Sequence, residues 1–410
     1  MEYKFETKAI QNEVPQKDVH GALKTPVYDN VAFEFDKAED LEAAFAGKKM
    51  AHAYSRITNP TVEAFELKMN ALENGRAAIA VASGMASIAN VVIALTQKGD
   101  NCVVAKSLFG GTYSLFEKTL KPLGIEPRFV DINDLKEIEK NIDNNTRIIF
   151  FETIANPKMN IPDIEEVIKI AHKNNVVVVI DSTTTTPYTF QGKKWGVDIV
   201  IHSSTKLISG GATSVGGVIV DLGNYDWSKI PALKNYTKLK EWAFIARLRK
   251  EVYRDLGACL APHNAYLQSL GLESLALRVE RSNKNTLEIA QYLGKQKNVK
   301  KVDYPGLKNS PYNKYVEKYF NGFGGAILTF ELENKEKAFI CINNLKLIKR
   351  ATNLGDNTTL IIHPASTIFI EYTEKERKEM GVTEGLIRLA VGIENVDDLI
   401  ADLEQALKKV

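Results

Sequence analysis

The stretch "VVVVIDSTTTTPYTFQGKKWGVDIVIHSSTK", residues 176–206, holds two short apolar runs, the first closing on Asp181 and the second on His202-Ser203-Ser204-Thr205-Lys206. Apolar runs of this length, without the polar alternation of a half-exposed strand, suit strands buried on both faces. The pattern recurs upstream as IAVA before Ser83, CVVA after Asn101, PRFV after Glu126 and RIIFFE after Thr146. Segments of helical period, such as Gly111–Leu123 and Pro162–Asn174, lie between the runs. Strands and helices alternating from about Ala77 to Val220 predict an α/β fold with a mostly parallel sheet covered on both faces.

Beyond Pro262 the pattern changes to a long helical stretch, Asn264–Leu293, then a strand-like AILTFEL after Gly325, a buried-strand pattern IRLAV, and a last helix from Val396 to Lys409. This predicts a large domain over residues 60–275 and a smaller α+β domain over 276–410. Residues 1–59, punctuated by Pro15 and Pro26 and followed by Pro60, read as an extended arm with no core of its own.

A chain of 410 residues with 44% hydrophobic content is long enough for a large core. Its 53 basic and 51 acidic residues leave a formal charge of +2 and form no basic block, which argues against a nucleic-acid surface. Cys102, Cys259 and Cys341 are far apart, with neither C-x-x-C spacing nor histidine companions, so they are expected to be buried apolar fillers rather than disulfide or zinc ligands. No metal site is expected. The charged N-terminus lacks an apolar signal core and no segment is long enough to span a bilayer, so a cytoplasmic location is expected.

Ligands of open α/β sheets bind beyond the carboxyl ends of the strands. Those ends carry Ser83-Gly84-Met85, Phe109-Gly110-Gly111, Glu152 to Asn156, Asp181, and Ser203 to Lys206. Gly84 opens the helix Met85–Leu95, whose free amides favour a phosphate, and Ser203 and Thr205 offer hydroxyls. Alone, each feature has a plainer reading: a glycine in a tight turn, a hydroxyl capping a loop. Asp181 ends an apolar run and needs a positive or hydrogen-bonding partner, which a protonated pyridine nitrogen would be. A lysine between a buried strand and a Ser/Thr/Gly loop is there by accident of solvation or for its amine. With Phe109 as a flat stacking partner, the set fits pyridoxal 5′-phosphate (PLP) joined to Lys206 through an imine. Ser203-x-x-Lys206 also matches the S-x-x-K of serine acyl-enzymes, but no K-T-G accompanies it, and the usual NTPase, hydrolase and dinucleotide fingerprints are absent.

From about Thr25 to the C-terminus the sequence resembles the Cys/Met-metabolism group of fold type I PLP enzymes. The resemblance rests on "YSRITNPT" (54–61), "ASGMASI" (82–88), "LFGGTYSLF" (108–116), "ETIANPKM" (152–159), "IDSTTTTPY" (180–188), "HSSTK" (202–206), "LGDNTTLIIHPAS" (354–366) and "GLIRLAVGIENVDDL" (385–399). It implies that Gly84, Met85, Ser203 and Thr205 hold the cofactor phosphate, with Tyr54 and Arg56 reaching it from the neighbouring subunit of a dimer. Asn156 would contact the ring hydroxyl and Asp181 the ring nitrogen, supported by Thr183. Arg388 would grip the substrate α-carboxylate, and Asn353 and Tyr54 would border the substrate. The group usually carries tyrosine where Phe109 stands; cystathionine γ-synthases commonly carry an arginine where Ser114 stands, and cystathionine enzymes often a glutamate where Thr358 stands, and the loss of these two charges speaks against cysteine as the thiol partner. "RDLGACLAPHNAYLQSLGLESLALRVERS" (254–282) and Asn353 before "LGD" look most like the O-acetylhomoserine sulfhydrylases. The implied activity is γ-replacement on an O-acylhomoserine, with methionine γ-lyase or cystathionine γ-synthase/γ-lyase chemistry as the alternative and a non-catalytic protein retaining the fold as a remote one. The implied partners are a small amino-acid substrate, further copies in a dimer of dimers, and a carrier protein if sulfur arrives in thiocarboxylated form.

Overall fold

The computed structural model describes residues 3–11 and 18–410; Pro15 of the expected arm lies outside them. Seven strands form the large sheet: β1 (Ala77–Val81), β2 (Asn101–Ala105), β3 (Glu126–Val130), β4 (Thr146–Glu152), β5 (Val177–Asp181), β6 (Ile199–His202) and β7 (Gly217–Asp221), in the order β1-β7-β6-β5-β4-β2-β3. β3, β2, β4, β5 and β6 run parallel, as their continuous apolar runs predict. β7, which no polar alternation marks in the sequence, returns from β6 and pairs antiparallel with both β6 and β1. The helices Pro60–Glu73, Gly84–Leu95 and Ile164–Lys173 pack against the strands and bury Phe65, Met69, Ile88, Val91, Ile164 and Val167.

A second sheet holds β8 (Lys301–Asp303), β9 (Ile327–Glu331), β10 (Lys349–Arg350), β11 (Leu360–Ile362) and β12 (Leu386–Ala390), ordered β10-β11-β12-β9-β8. Helices Leu275–Leu293, Lys335–Asn344 and Val396–Leu407 supply its core with Ile289, Ala338, Leu399 and Leu403, against Leu328, Phe330, Ile387 and Leu389. Successive side chains of a strand point to opposite faces. With Ile387 and Leu389 in that core, Arg388 between them turns to the other face and lines a cavity.

Three sequence expectations change. The helical stretch Asn264–Leu293 is two helices, Pro262–Glu273 and Leu275–Leu293, because the chain leaves helical geometry at Ser274. The break is held by Arg278, whose guanidinium donates to the carbonyls of Gly271 and Leu207, each at 2.6 Å. The arm is not wholly extended: Phe5–Ile10 and Ala38–Phe45 are helical, and the first packs on helices Pro60–Glu73 and Pro262–Glu273 through the buried Ala9. Val19, Leu23 and Met50, on the non-helical parts of the arm, are almost wholly exposed. The amphipathic segment 111–123 divides into a short helix, Gly110–Ser114, a π-helical stretch, Leu115–Leu120, and a 3-10 turn, Lys121–Leu123. Cys102 and Cys341 are buried and Cys259 half-buried. No helix among the described residues is long and apolar enough to cross a membrane.

The approach to β10 is fixed from the C-terminal helix. The Asp402 carboxylate accepts the backbone N–H groups of Lys346, Leu347 and Ile348, each at 2.9 Å, and these bonds hold its carboxyl below the usual aspartate range. Asp402→Ala should lower stability by about 1–3 kcal/mol, since the buried Ile348 amide and two part-buried amides lose their acceptor. A group with a depressed folded pKa stabilises fully above its unfolded value and loses that contribution as pH falls through the folded one. Thermal melts from pH 7 down to pH 2 should therefore show wild type and variant converging at the acid end.

Candidate active site

A cavity of about 300 Å³ opens at the carboxyl ends of β4, β5 and β6, where the register pairs Glu152 with Asp181 and Asp181 with Ile201. Gly84, Met85, Phe109, Asn156, Asp181, Thr183, Ser203, Thr205, Lys206, Asn353 and Arg388 all line it. Tyr54 and Arg56 do not; Tyr54 is exposed at the surface, with Arg56 stacked over its ring at 5.3 Å and donating to the Arg254 carbonyl. Ser114 and Thr358 also stand outside the lining.

One end of the cavity is built for an anion. Ser83 caps the helix Gly84–Leu95 by accepting the Ala86 N–H at 3.1 Å. The amides of Gly84 and Met85, first in the helix, have no acceptor within it. A Cβ on residue 84 would fall 2.5 Å from the Ser203 Cβ, so only glycine lets β6 and this helix converge on one small volume. The Thr205 hydroxyl donates to the Gly216 carbonyl and accepts the Gly216 N–H, both at 3.1 Å, which fixes the loop behind it.

The middle of the cavity holds charges of both signs. Asp181 accepts the Thr183 N–H at 2.9 Å, and the Thr183 Oγ1 in turn accepts the Ser203 N–H at 2.8 Å. Burial raises the Asp181 carboxyl above its ordinary value, opposed by the Thr183 bonds and by the charges of His202 and Lys206. A cation beside Asp181 would favour its ionised form, which is what a protonated pyridine nitrogen would do. Lys206 points its amine at the Asn353 Oδ1, 2.8 Å away. Burial, together with the Arg388 charge, lowers its pKa to about 8. Arg388 donates to the Asn353 carbonyl at 2.9 Å and to the Asn156 Oδ1 at 3.3 Å, its Nε has no partner, and burial lowers its pKa to about 10. No carboxylate pairs with it among the described residues, so a planar, buried fork remains for an incoming carboxylate. Glycine backbone, helix amides, a buried aspartate and a neutralisable lysine together fit a phosphorylated pyridine aldehyde.

Sequence reading set Glu152 among the strand-end residues but gave it no role; parallel pairing of β4 and β5 sets it beside Asp181. It missed Thr352 and Ile368, which enter from the second sheet's connections with no local signal.

A family model described as "Cys/Met metabolism PLP-dependent enzyme" matches residues 6–408. An L-methionine gamma-lyase of Fusobacterium nucleatum subsp. nucleatum is 40% identical over 397 residues, which cover 96% of this chain and 95% of that protein. An O-acetyl-L-homoserine sulfhydrylase of Corynebacterium glutamicum is 37% identical over 418 residues, covering 98% and 96%. The crystal structure of a candidate O-acetylhomoserine (thiol)-lyase from Campylobacter jejuni, which contains N′-pyridoxyl-lysine-5′-monophosphate, is similar with a TM-score of 0.95 and 38% identity, covering 99% of this chain and all of that one.

An amine with a pKa of about 8 is roughly one-tenth neutral at pH 7, whereas an ordinary lysine is neutral in well under one molecule per thousand. The rate at which the cofactor-free chain condenses with PLP should therefore climb with pH and level off just above pH 8 rather than near 10.5. Stopped-flow absorbance at a series of pH values reads this out, and a profile still rising at pH 10 would contradict it.

Proposed function

The chain belongs to the Cys/Met-metabolism family of PLP-dependent enzymes, and from that premise we propose that it performs γ-replacement: an O-acylated homoserine, in its O-acetyl form, exchanges its acyloxy group for sulfide or a small thiol, giving homocysteine or methionine. The observation that carries this reading is Phe109, whose ring borders the cavity without an O–H where the family usually carries tyrosine. A departing carboxylate is a stable anion, its acid having a pKa of about 4, and leaves without a proton donor; a departing thiolate, at about 8.5, gains from one. The acyl tail should also be uncharged. Lys206 and Arg388 are the two cations lining the cavity, and with one kept for the cofactor and one for the α-carboxylate, neither is left for a succinyl or phosphoryl tail.

In this reading Gly84, Met85, Ser203 and Thr205 hold the cofactor phosphate, Asn156 its ring hydroxyl, Asp181 with Thr183 its ring nitrogen, Phe109 its ring face, and Lys206 its carbonyl carbon. When bound, the cofactor supplies an electron sink beside the substrate α-carbon. The Lys206 amine takes the α-proton and relays a proton at the β-carbon, a task that falls on it more heavily because Phe109 lacks a hydroxyl. Asn353 holds that amine with its side chain and Arg388 with its carbonyl, so the base and the carboxylate grip are set by one residue. Arg388 orients the substrate by its α-carboxylate.

The same reading assigns residues 1–59 as an arm that brings Tyr54 and Arg56 to a neighbouring copy's cavity in a dimer of dimers, 60–275 as the cofactor domain and 276–410 as the C-terminal domain. The exposed Val19, Leu23 and Met50 support an arm that is covered in the assembly. It also places the enzyme in the cytoplasm, where free sulfide, a thiol or a sulfur-carrier protein supplies the sulfur.

Likeness to the Fusobacterium lyase favours a second reading, elimination from methionine. Steady-state assays of acyl-homoserines with sulfide, with cysteine and with no nucleophile, set beside 2-oxobutyrate release from methionine, separate the two. Homocysteine from O-acetylhomoserine plus sulfide should dominate; 2-oxobutyrate from methionine at a higher kcat/KM would overturn the proposal. Asp181→Ala should reduce turnover by at least about a hundredfold while leaving the fold intact, since the ring nitrogen loses its anion.

A further inference from the structure

Glu152 ends β4 at the wall of the cavity, almost wholly buried, and has no part in the chemistry assigned above. Its two oxygens are used differently. Oε1 accepts the backbone N–H of Phe109 at 2.7 Å, and Oε2 accepts the backbone N–H of Asn156 at 3.1 Å. These amides belong to separate loops, one after β2 carrying the aromatic ring and one after β4 carrying the Asn156 side chain that Arg388 holds. Only a carboxylate offers an acceptor at both ends of so short a side chain; an amide of the same shape turns an NH₂ against one of the two donors.

We propose that Glu152 is a positioning residue, a two-ended acceptor that locks the Phe109 loop to the Asn156 loop and thereby sets the height of the aromatic ring over the cofactor and the direction of Asn156. The inference rests on the cofactor placement given above. Several features surround the clamp and share its purpose. Phe109 precedes Gly110 and Gly111, and a Cβ on residue 111 would lie 2.8 Å from the Phe109 ring, so the ring occupies a place that only glycine leaves open. From the second sheet's side the Tyr372 hydroxyl donates to the Gly110 carbonyl at 2.7 Å. The Phe109 loop is therefore held by an acceptor from β4 and a donor from the opposite side. Burial and the neighbouring Asp181 charge push the Glu152 carboxyl upward in pKa, and the two N–H donors oppose that push. Two carboxylates in register on adjacent strands would otherwise repel. Their survival side by side is accounted for if one faces backbone amides and the other a ring cation.

The test uses the full-length enzyme with its cofactor and two variants, Glu152→Gln and Glu152→Asp. Hydrogen exchange followed by mass spectrometry, on peptides covering 106–114 and 153–160, reads the clamp itself. The Gln variant should speed exchange about tenfold or more in one of the two peptides and leave peptides from β5 and β6 unchanged. The Asp variant, too short to reach both loops, should likewise release one of them. Visible circular dichroism of the bound cofactor should fall at least about twofold in both, and kcat should drop about tenfold or more while the KM for the acyl-homoserine changes less. Wild-type exchange in both peptides of both variants would overturn the clamp, whatever the substrate proves to be. Faster exchange with an unchanged dichroic band would leave the clamp but overturn its action on the ring. A chain that binds no PLP at all, wild type included, would instead remove the cofactor placement on which the inference rests.

Discussion

Four ionisable groups, two of each sign, are buried or half-buried at the carboxyl ends of the parallel strands, and the rest of the structure is arranged around that cost. Asp181 and Glu152 close adjacent strands, Lys206 follows the next one, and Arg388 reaches in from the second sheet. Taking any of them out of solvent is expensive unless each meets a partner. The partners are mostly not each other. Glu152 meets amides, Lys206 an asparagine oxygen, and Arg388 a carbonyl and an asparagine oxygen, so the charges stay available to molecules that arrive from outside. Neutral partners of this kind satisfy hydrogen bonds without cancelling charge, and it is burial first that shifts each group's proton affinity.

The first sheet brings one positive group, Lys206, and the second sheet brings the other. β12 achieves this by alternation alone, with Ile387 and Leu389 anchoring one face in a dry core and Arg388 carried on the other. Asn353 comes from the same side, on the connection after β10, and touches both the lysine amine and the arginine. The two halves of the molecule thus meet at the cavity through two polar pairs, Lys206 with Asn353 and Asn156 with Arg388, beside an apolar contact in which Leu354, Leu360 and Ala390 join the core of the larger sheet.

Much of this was legible in the residues. Unbroken apolar runs gave the parallel strands, and the polar residue closing each run gave the cavity's rim, because ladder pairing places strand ends together. What escaped notice depended on contacts distant in sequence. β7 carries the same apolar content as its neighbours, and nothing local distinguishes an antiparallel return from another parallel strand. The break at Ser274 lies in a stretch whose composition is helical throughout; it comes from Arg278 taking the Gly271 carbonyl together with that of Leu207, a residue from another part of the chain. Ile368 and Thr352 line the cavity from connections whose course no periodicity records.

The placement of β1 at the sheet's edge governs how the molecule is made. It is laid down before every other strand, yet its ladder partner is β7, with Ala77 opposite Asp221. During vectorial synthesis the earliest strand therefore waits, unpaired, until the last strand of the sheet has left the ribosome, while the parallel strands between them are already able to assemble. A nascent polypeptide arrested before Gly217 would carry an apolar segment with nothing to pair with, which makes this interval the natural point for chaperone capture or for loss to aggregation.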